Sequence, residues 1–331
     1  MFDTAGVLIL IVLIALFAFL TTRAWKLKNA ILKWGGVVIA GLLTLIPTAL
    51  LGLGLISFYR LNERYDNPVA KVQVAGTPAQ IARGEQLAHM CVRCHTSNNQ
   101  LPLSGVDFAG KFGLPQLGTL YAPNLTPSGN IKDWTDGEVI RAIREGVHKD
   151  GRSLLIMAAF VNLSDDDVQA LVAYLRSQPT TGGPTPTNRL NLFGALFINL
   201  FNLRTARPPV GPVIAPQPGT REYGKYSVDV IGCRGCHGDQ LQGKVDTGQP
   251  GPPPGPNLTQ IVPQWTEEQF MTFFNTGLRP DGSPVPTETL PSGFTEPRMP
   301  WPMVRAATTD DELKAMYAYL HSLPPVEGRA K

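Results

Sequence analysis

All four cysteines of this 331-residue chain lie in two copies of one pattern, Cys-x-x-Cys-His, at residues 91–95 and 233–237. Two thiols three positions apart can each form a thioether with a haem vinyl group, and the adjoining histidine can ligate the iron. A zinc site would need four nearby sulfur or nitrogen ligands, whereas the two pairs lie about 140 residues apart. A disulfide or a thioredoxin-like redox pair would leave the histidine in both copies unexplained. The sequence therefore predicts two covalently bound haem c groups.

The residues that would hold these groups follow from the motifs. The predicted attachment residues are Cys91, Cys94, Cys233 and Cys236, and the predicted iron ligands are His95 and His237.

The remainder of the chain after residue 60 contains an internal duplication around these motifs. Several unrelated residue types recur in the same order and at nearly the same spacing, which indicates two copies of one structural unit. The recurring features are Pro-Asn-Leu-Thr at 123–126 and 256–259, Trp-Thr at 134–135 and 265–266, Gly146 and Gly277, Asp-Gly at 150–151 and 281–282, and Ala-Tyr-Leu at 173–175 and 318–320.

Helix signals surround the motifs in both copies. Thr77 followed by Pro78 predicts an opening helix in the first copy, and residues 222–231 form its counterpart in the second. Ser164 and Thr309 are predicted to cap a closing helix in each copy, since acidic residues and an apolar stripe follow both. Each copy is therefore predicted to be all-α.

A methionine is the expected second axial ligand of each haem, because a thioether ligand raises the potential of an electron carrier. Met157 is the candidate in the first copy, since it follows the Asp-Gly turn and precedes the closing helix. Met299 is preferred in the second copy because the proline after it stiffens its loop, whereas Met303 lies nearer the position that matches Met157. Both alternatives stay open on the sequence alone.

Two long apolar stretches precede the duplicated region. Between Asp3 and Arg23 run 19 uncharged residues, and between Lys33 and Arg60 another 26. Each is long enough to cross a hydrocarbon core about 30 Å thick. A cleavable signal peptide begins with a positive segment, but the only charge ahead of the first stretch is Asp3. The sequence therefore predicts an uncleaved transmembrane hairpin.

The short connection between these stretches is basic and flanked by aromatic residues, which the positive-inside rule places in the cytoplasm. Both termini and both haem domains are then predicted on the periplasmic side of the cell membrane, with two passes through it. The residues concerned are Arg23, Lys26, Lys28 and Lys33, with Trp25 and Trp34 at positions typical of the membrane interface.

Composition limits the classes of partner. Residues 61–331 carry 24 basic and 25 acidic side chains, so the chain gives no case for nucleic-acid binding.

An apolar stretch at 190–203 is too short to span a bilayer. We expect it to pack between the two copies, with an interfacial membrane contact as the alternative.

These observations divide the chain into six parts. The predicted parts are a transmembrane hairpin (1–60), a linker (61–76), a first haem domain (77–180), a Pro/Gly-rich linker with the apolar segment (181–216), a second haem domain (217–326) and a tail (327–331).

The duplicated units resemble class I cytochrome c domains. Residues 77–326 are similar to dihaem cytochrome c subunits of membrane-bound alcohol and gluconate dehydrogenases, and similar units occur in respiratory and photosynthetic electron-transfer complexes. The resemblance implies that the first and last helices of each unit cross, that the Pro-Asn-Leu-Thr region passes the haem, and that a late loop brings the methionine. Dehydrogenase cytochromes typically have three units and a cleaved signal sequence, whereas two units and a hairpin are predicted here.

We therefore expect an all-α chain in which a transmembrane hairpin precedes two tandem class I cytochrome c domains. The predicted function is electron transfer by a membrane-anchored dihaem cytochrome c, itself non-catalytic, within a larger respiratory or photosynthetic complex. Its expected partners are the membrane, other subunits of that complex and a soluble electron carrier. The alternatives are the electron-exit subunit of a membrane dehydrogenase, and a peroxidase-like or thiosulfate-oxidising dihaem enzyme with one open haem.

Overall fold

The chain is mostly helical in the computed structural model, which describes residues 4–248 and 253–328. Asp3 and residues 329–331 of the predicted tail lie outside the described residues. The α-helices are α1 (Thr4–Trp25), α2 (Ala30–Leu61), α3 (Pro78–Ala88), α4 (Val92–His95), α5 (Phe108–Phe112), α6 (Asp136–Glu145), α7 (Asp165–Ser177), α8 (Leu192–Leu200), α9 (Arg221–Ile231), α10 (Cys233–His237), α11 (Leu258–Ile261), α12 (Glu267–Thr276), α13 (Trp301–Ala306) and α14 (Asp310–His321).

Short strands accompany the helices, so the predicted all-α class holds only in the coarser sense of a mostly helical chain. Within residues 4–248 and 253–328, the strands form three antiparallel pairs, β1 with β3, β2 with β4 and β5 with β6. Their bounds are β1 (Val106–Asp107), β2 (Gly118–Thr119), β3 (Tyr121–Ala122), β4 (Arg189–Leu190), β5 (Thr287–Thr289) and β6 (Thr295–Pro297), and 3-10 turns cover His89–Cys91, Pro115–Leu117 and Val262–Gln264.

The two N-terminal helices pack along each other as a hairpin and are long and apolar enough to cross a membrane. Their close approach is permitted by Gly36, where a Cβ atom would lie only 2.9 Å from the Cβ atom of Ala24. The outward faces are apolar and open, with Val12 64% and Ile39 63% exposed. So large an exposed apolar surface is characteristic of contact with lipid or another protein.

Two duplicated units follow, and we call residues 77–180 the first repeat and residues 217–326 the second repeat. In the first repeat α3 packs across α7, and in the second α9 packs across α14. The sequence signals at the helix starts are confirmed: Thr77, Thr309 and Ser164 each accept a hydrogen bond from a backbone N–H of the first turn. Thr77 and Thr309 complete capping boxes with Gln80 and Glu312.

Each helix crossing depends on a glycine at an equivalent position. A Cβ atom on Gly84 would overlap the carbonyl of Ala170, and a Cβ atom on Gly224 would overlap the carbonyl of Ala315. The backbones at both crossings therefore come closer than any other residue would allow. The resemblance to cytochrome c domains implied the crossings, but the roles of these two glycines were not predicted.

The two segments predicted as linkers lie against the first repeat. In the segment before it, Asn67 donates to Glu145 at 2.5 Å and the N–H of Val74 donates to Asp136 at 2.9 Å. In the segment after it, β4 pairs with β2, and Thr205 donates through its hydroxyl to the carbonyl of Met157 at 2.6 Å. These contacts attach both segments to the first repeat along their lengths.

Helix α8 occupies a different place from the one predicted for the apolar stretch at 190–203. It packs on α2 and on the turn at Pro115–Leu117 of the first repeat, rather than between the two repeats. The physical reason is steric fit: Gly54 of α2 has no side chain, and the Leu192 side chain packs in the space beside it. The stretch therefore joins the hairpin to the first repeat.

The two repeats contact each other through a buried polar network. Arg83 of α3 pairs with Asp167 and Glu312, each at 2.8 Å. Tyr223 donates to Glu312 at 2.9 Å, and Tyr226 donates to Asp167 at 2.6 Å. Burial and the adjacent carboxylates raise the pKa of both phenols above the ordinary tyrosine value, so both remain donors. Each carboxylate is thus shared by groups from both repeats.

We expect Gly84→Ala and Gly224→Ala each to lower the free energy of unfolding by about 1–3 kcal/mol, because the added methyl group forces the crossing helices apart. This loss should exceed the gain of about 1 kcal/mol in helix propensity that alanine brings. Chemical denaturation of the full-length protein measures both effects. The control is Gly183→Ala, where nothing lies within 4 Å of the new Cβ atom. A variant at either crossing that is as stable as the control would contradict the close approach.

Candidate haem-binding sites

The histidine of the first motif is held in one orientation by a proline carbonyl. His95 ends α4 and is 7% exposed, and its Nδ1 atom lies 2.9 Å from the carbonyl oxygen of Pro123. A carbonyl oxygen only accepts hydrogen bonds, so Nδ1 carries the proton and donates. The lone pair is then on Nε2, which is the atom that an iron ion would bind. Burial also lowers the pKa of His95, which keeps the ring neutral.

The second motif repeats this arrangement. His237 is also 7% exposed, and its Nδ1 atom lies 2.8 Å from the carbonyl oxygen of Pro256. Burial lowers the pKa of His237 as well. Gly255 covers the ring closely, since a Cβ atom there would lie 2.6 Å from Cε1 and 2.7 Å from Nδ1. The two predicted histidine ligands therefore have matching environments and matching tautomers.

The four cysteines have properties that suit thioether attachment. None is in a disulfide, and burial raises the pKa of Cys91 and Cys233 to about 12. Burial raises the pKa of Cys94 and Cys236 too. The raised pKa disfavours the thiolate, which argues against a redox-sensing pair or a zinc-thiolate site. Cys91 packs against the apolar core of the first repeat and Cys233 against that of the second, which provides the apolar wall that a porphyrin needs.

The Pro-Asn-Leu-Thr segments connect the histidines to the ends of the repeats. The side-chain oxygen of Asn124 accepts from both the N–H and the hydroxyl of Thr126, at 2.9 and 2.7 Å. Asn257 accepts from Thr259 in the same way, at 3.0 and 2.7 Å. The Asn124 amide also donates to the carbonyl of Thr181. Each asparagine thus shapes the loop that presents the proline carbonyl to the histidine.

The two candidate ligands of the second repeat, Met299 and Met303, pack against different apolar clusters. Met299 packs with the apolar cluster that contains Cys233, whereas Met303 packs with the cluster that contains Cys91 and Met90 of the first repeat. Helix α13, which carries Met303, contacts the turn at His89–Cys91. Met299 therefore packs against the core of its own repeat, and Met303 lies at the boundary between the repeats.

Met157 lies in a loop with an unusual backbone. Ile156 before it has a φ angle of 64°, in the left-handed region that a branched residue rarely adopts. The Met157 carbonyl accepts the hydrogen bond from Thr205, so the segment after the first repeat holds this loop in place. The loop is thus fixed from both sides of Met157.

A buried charge cluster that the sequence did not reveal joins the first motif to the second repeat. Arg93, inside the first motif, pairs with Glu296 of β6 through Nε at 2.8 Å and Nη2 at 2.7 Å. Glu296 is 5% exposed and also accepts from Asn99 at 2.8 Å. Lys111, 3% exposed, donates to the carbonyls of Arg93 and Thr96, both at 2.7 Å. The attachment site of the first repeat is therefore linked to a strand of the second.

The charge of Arg93 reaches both attachment sites. It opposes the rise that burial causes in the pKa of Cys94, and it does the same for Cys236 of the other motif. One guanidinium group thus lies within electrostatic range of a cysteine from each repeat. The first motif therefore contacts the second repeat through Glu296, although the two motifs are about 140 residues apart in sequence.

We expect Glu296→Gln to lower the free energy of unfolding by about 2–3 kcal/mol, because it leaves Arg93 without its buried counter-ion. Glu288→Gln is the matched control, since Glu288 lies 3.6 Å from the same guanidinium group with a side chain 31% exposed. The control should cost about 1 kcal/mol or less. Chemical denaturation of both holoproteins provides the comparison, and equal losses would contradict a special role for Glu296.

Comparison with known proteins identifies both repeats. The family described as "Cytochrome c" matches residues 81–179 and 222–324, one region in each repeat. The cytochrome c subunit of the quinone-dependent alcohol dehydrogenase of Gluconacetobacter polyoxogenes is 29% identical over 293 residues, covering 78% of this chain and 60% of that protein. The gluconate 2-dehydrogenase cytochrome c subunit of Pantoea cypripedii is 30% identical over 205 residues, covering 56% of this chain and 42% of that protein.

The matched relatives are longer proteins, and the chain spans 60% or less of the length of these two. The family matches nevertheless enclose both Cys-x-x-Cys-His motifs and both histidine–proline contacts, and they include most of both pairs of crossing helices. Cytochromes c attach haem covalently through this motif and use it to carry electrons. The chain belongs to the cytochrome c family, with one cytochrome c domain in each of its two repeats.

Proposed function

We propose that this chain is a membrane-anchored dihaem cytochrome c that passes electrons between its two haem groups as a subunit of a larger complex. The observation that carries the proposal is the duplicated site, in which each motif histidine presents a free Nε2 lone pair next to a pair of partly buried thiols. The Arg93–Glu296 pair supports direct exchange, because it attaches the first site to the second repeat.

The residues present fit haem c in both repeats. Cys91 and Cys94 would hold one group and Cys233 and Cys236 the other, and a bound haem iron would supply a one-electron redox couple at each site. The chain itself positions the ligands, excludes water and sets the local charge. His95 and His237 need no proton movement to act as ligands, because their protons already lie on Nδ1, bonded to Pro123 and Pro256.

We propose Met157 and Met299 as the second axial ligands. For Met299 the support is its packing in the cluster that contains Cys233. Met303 is the weaker alternative because it packs with the cluster around Cys91. For Met157 the support is the loop held by Thr205.

The division of the chain follows the same contacts. We propose cytochrome c domains over residues 77–180 and 217–326. We assign the segments 61–76 and 181–216 to the first domain, because both pack against it instead of forming free linkers.

Met299→Ala should remove the methionine–iron absorption band of one haem in the oxidised protein and lower the potential of that haem on the order of 100 mV. The reduced variant should bind carbon monoxide at one haem, whereas the unaltered protein should not bind it. Met303→Ala is the matched control and should leave the spectrum, the potential and the content of two haems per chain unchanged. The reverse pattern would assign Met303 as the ligand, and carbon monoxide binding by the unaltered protein would favour the dihaem-enzyme alternative.

We propose that the hairpin α1–α2 spans the membrane with its basic connection in the cytoplasm and both haem domains on the periplasmic side. The length and apolar exposure of both helices support this anchor. Lys33 and Trp25 support the placement of the connection, since the ammonium group lies 4.3 Å from the indole centroid, an arrangement suited to a membrane interface.

The exposed surface of the hairpin also allows helices of other subunits to pack against it. Gly35, Gly41 and Gly52 of α2 have nothing within 4 Å of where a Cβ atom would be, so another helix could approach closely there. The relatives whose names attach them to alcohol and gluconate dehydrogenases favour a dehydrogenase as electron donor. A respiratory or photosynthetic complex is the other candidate.

Gentle extraction from the native membrane, followed by mass spectrometry of the co-purifying chains, tests the partner class. We expect stoichiometric partners, because a lone anchor would need only one helix. A flavin- or quinone-cofactor dehydrogenase would make this chain its electron-exit subunit, whereas quinol-oxidising, oxidase or reaction-centre subunits would place it in a respiratory or photosynthetic chain. A monomer at high concentration in mild detergent would contradict the proposed complex.

A further inference from the structure

Helix α8 is apolar on its exposed side as well as on its buried side. Gly194, Ala195 and Ile198 are buried, yet Phe193 is 53% and Leu200 79% exposed. None of its nine residues carries a charge. A helix with this composition is stable next to water only when something covers its open side.

The geometry of the hairpin fixes the height of α8 relative to a bilayer. Trp25 and Trp34 pack edge to face with centroids 5.5 Å apart and mark the level of the basic connection. A helix rises 1.5 Å per residue, so Gly6 and Gly54 lie about 30 Å from that level along their respective helices. This distance matches the thickness of the hydrocarbon core. In the proposed topology, Gly6 and Gly54 therefore lie near the opposite boundary of the hydrocarbon core.

Helix α8 contacts the hairpin at that boundary. The Leu192 side chain occupies the space beside Gly54, and a Cβ atom on Gly6 would lie 3.5 Å from the Leu192 Cβ atom. One α-helical turn beyond Gly54, the amide of Asn199 donates to the carbonyl of Ser57 at 3.3 Å. The helix is thus fixed against both membrane-spanning helices at the height where hydrocarbon gives way to headgroups.

We infer that α8 lies in the outer membrane–water interface, with Phe193 and Leu200 in contact with phospholipid. This inference rests on the proposed transmembrane topology of the hairpin. The occupant is lipid because α8 contacts both spans near their outer end, and the exposed apolar side chains of those spans face lipid in the proposed topology. On its protein side α8 packs on the first repeat, where Gly194 lies against the carbonyl of Leu117. The helix therefore sets the first haem domain close to the membrane surface.

Photolabelling of the full-length holoprotein in nanodiscs tests this placement. The probe is a phosphatidylcholine with a diazirine in its acyl chain, and labelled sites are mapped by mass spectrometry of tryptic peptides. Cleavage after Arg189 and Arg204 isolates α8 in the peptide 190–204, and cleavage after Lys33 and Arg60 isolates the second span in the peptide 34–60. The peptide 306–314 of the second repeat serves as the background.

We expect labelling of peptides 190–204 and 34–60 at least tenfold above the background peptide. Label in 34–60 with only background in 190–204 would overturn the placement of α8 and leave the transmembrane hairpin intact. Background labelling of both peptides would overturn the topology on which the inference rests. In native membranes, protection of 190–204 in a complex that labels 34–60 would assign this face to a protein partner and would also overturn the inference.

Variants locate the contact on α8. Phe193→Ser combined with Leu200→Ser should reduce labelling of 190–204 at least fivefold without changing 34–60, because both side chains are exposed and their replacement leaves the buried face intact. The matched control is Val245→Ser, an exposed apolar residue of the second repeat that is 45% exposed and should change neither peptide. Unchanged labelling in the double variant would overturn the assignment of lipid to this face.

Discussion

The hydrogen bond between each motif histidine and a proline carbonyl is the interaction on which each haem domain depends. It connects α4 or α10 to the Pro-Asn-Leu-Thr loop, which in turn is fixed by its asparagine. The bond determines the tautomer of the ring and thereby the nitrogen that is free to bind metal. Because burial keeps the ring neutral, the same few atoms set both the orientation and the charge of the ligand.

A second constraint joins the domains into one electron-transfer unit. The network around Arg83 and Tyr223 holds the helices of the two repeats together, and the Arg93–Glu296 pair holds the first motif against the second repeat. Buried ion pairs contribute little net stability, but breaking one is costly. They therefore fix orientation rather than add binding energy, and a fixed orientation between two redox centres is what electron exchange requires.

The features that were predictable from the sequence are local or repeated. The motifs, the caps at Thr77 and Thr309 and the two apolar helices each depend on residues a few positions apart, so pattern alone identified them. Glu296 gave no such signal, since its partner Arg93 lies 203 positions away. Two further features depend on contacts between residues far apart in sequence. They are the packing of residues 181–216 against the first repeat and the packing of α8 on Gly54. The order Met299-Pro300 predicted Met299 as the ligand, and no sequence signal indicated that Met299 and Met303 pack against different clusters.

The two repeats are attached to the hairpin differently, so the two haem domains differ in their position relative to the anchor. The first repeat is tied to the hairpin by α8, by both flanking segments and by Arg204, which donates to the carbonyl of Arg60 at 3.2 Å and pairs with Glu63 at 2.9 Å. The second repeat is held through its contacts with the first. On the proposed function, a partner within the membrane meets the first haem domain, and a partner in the periplasm meets the second. The Arg93–Glu296 pair then lies at the step between the two.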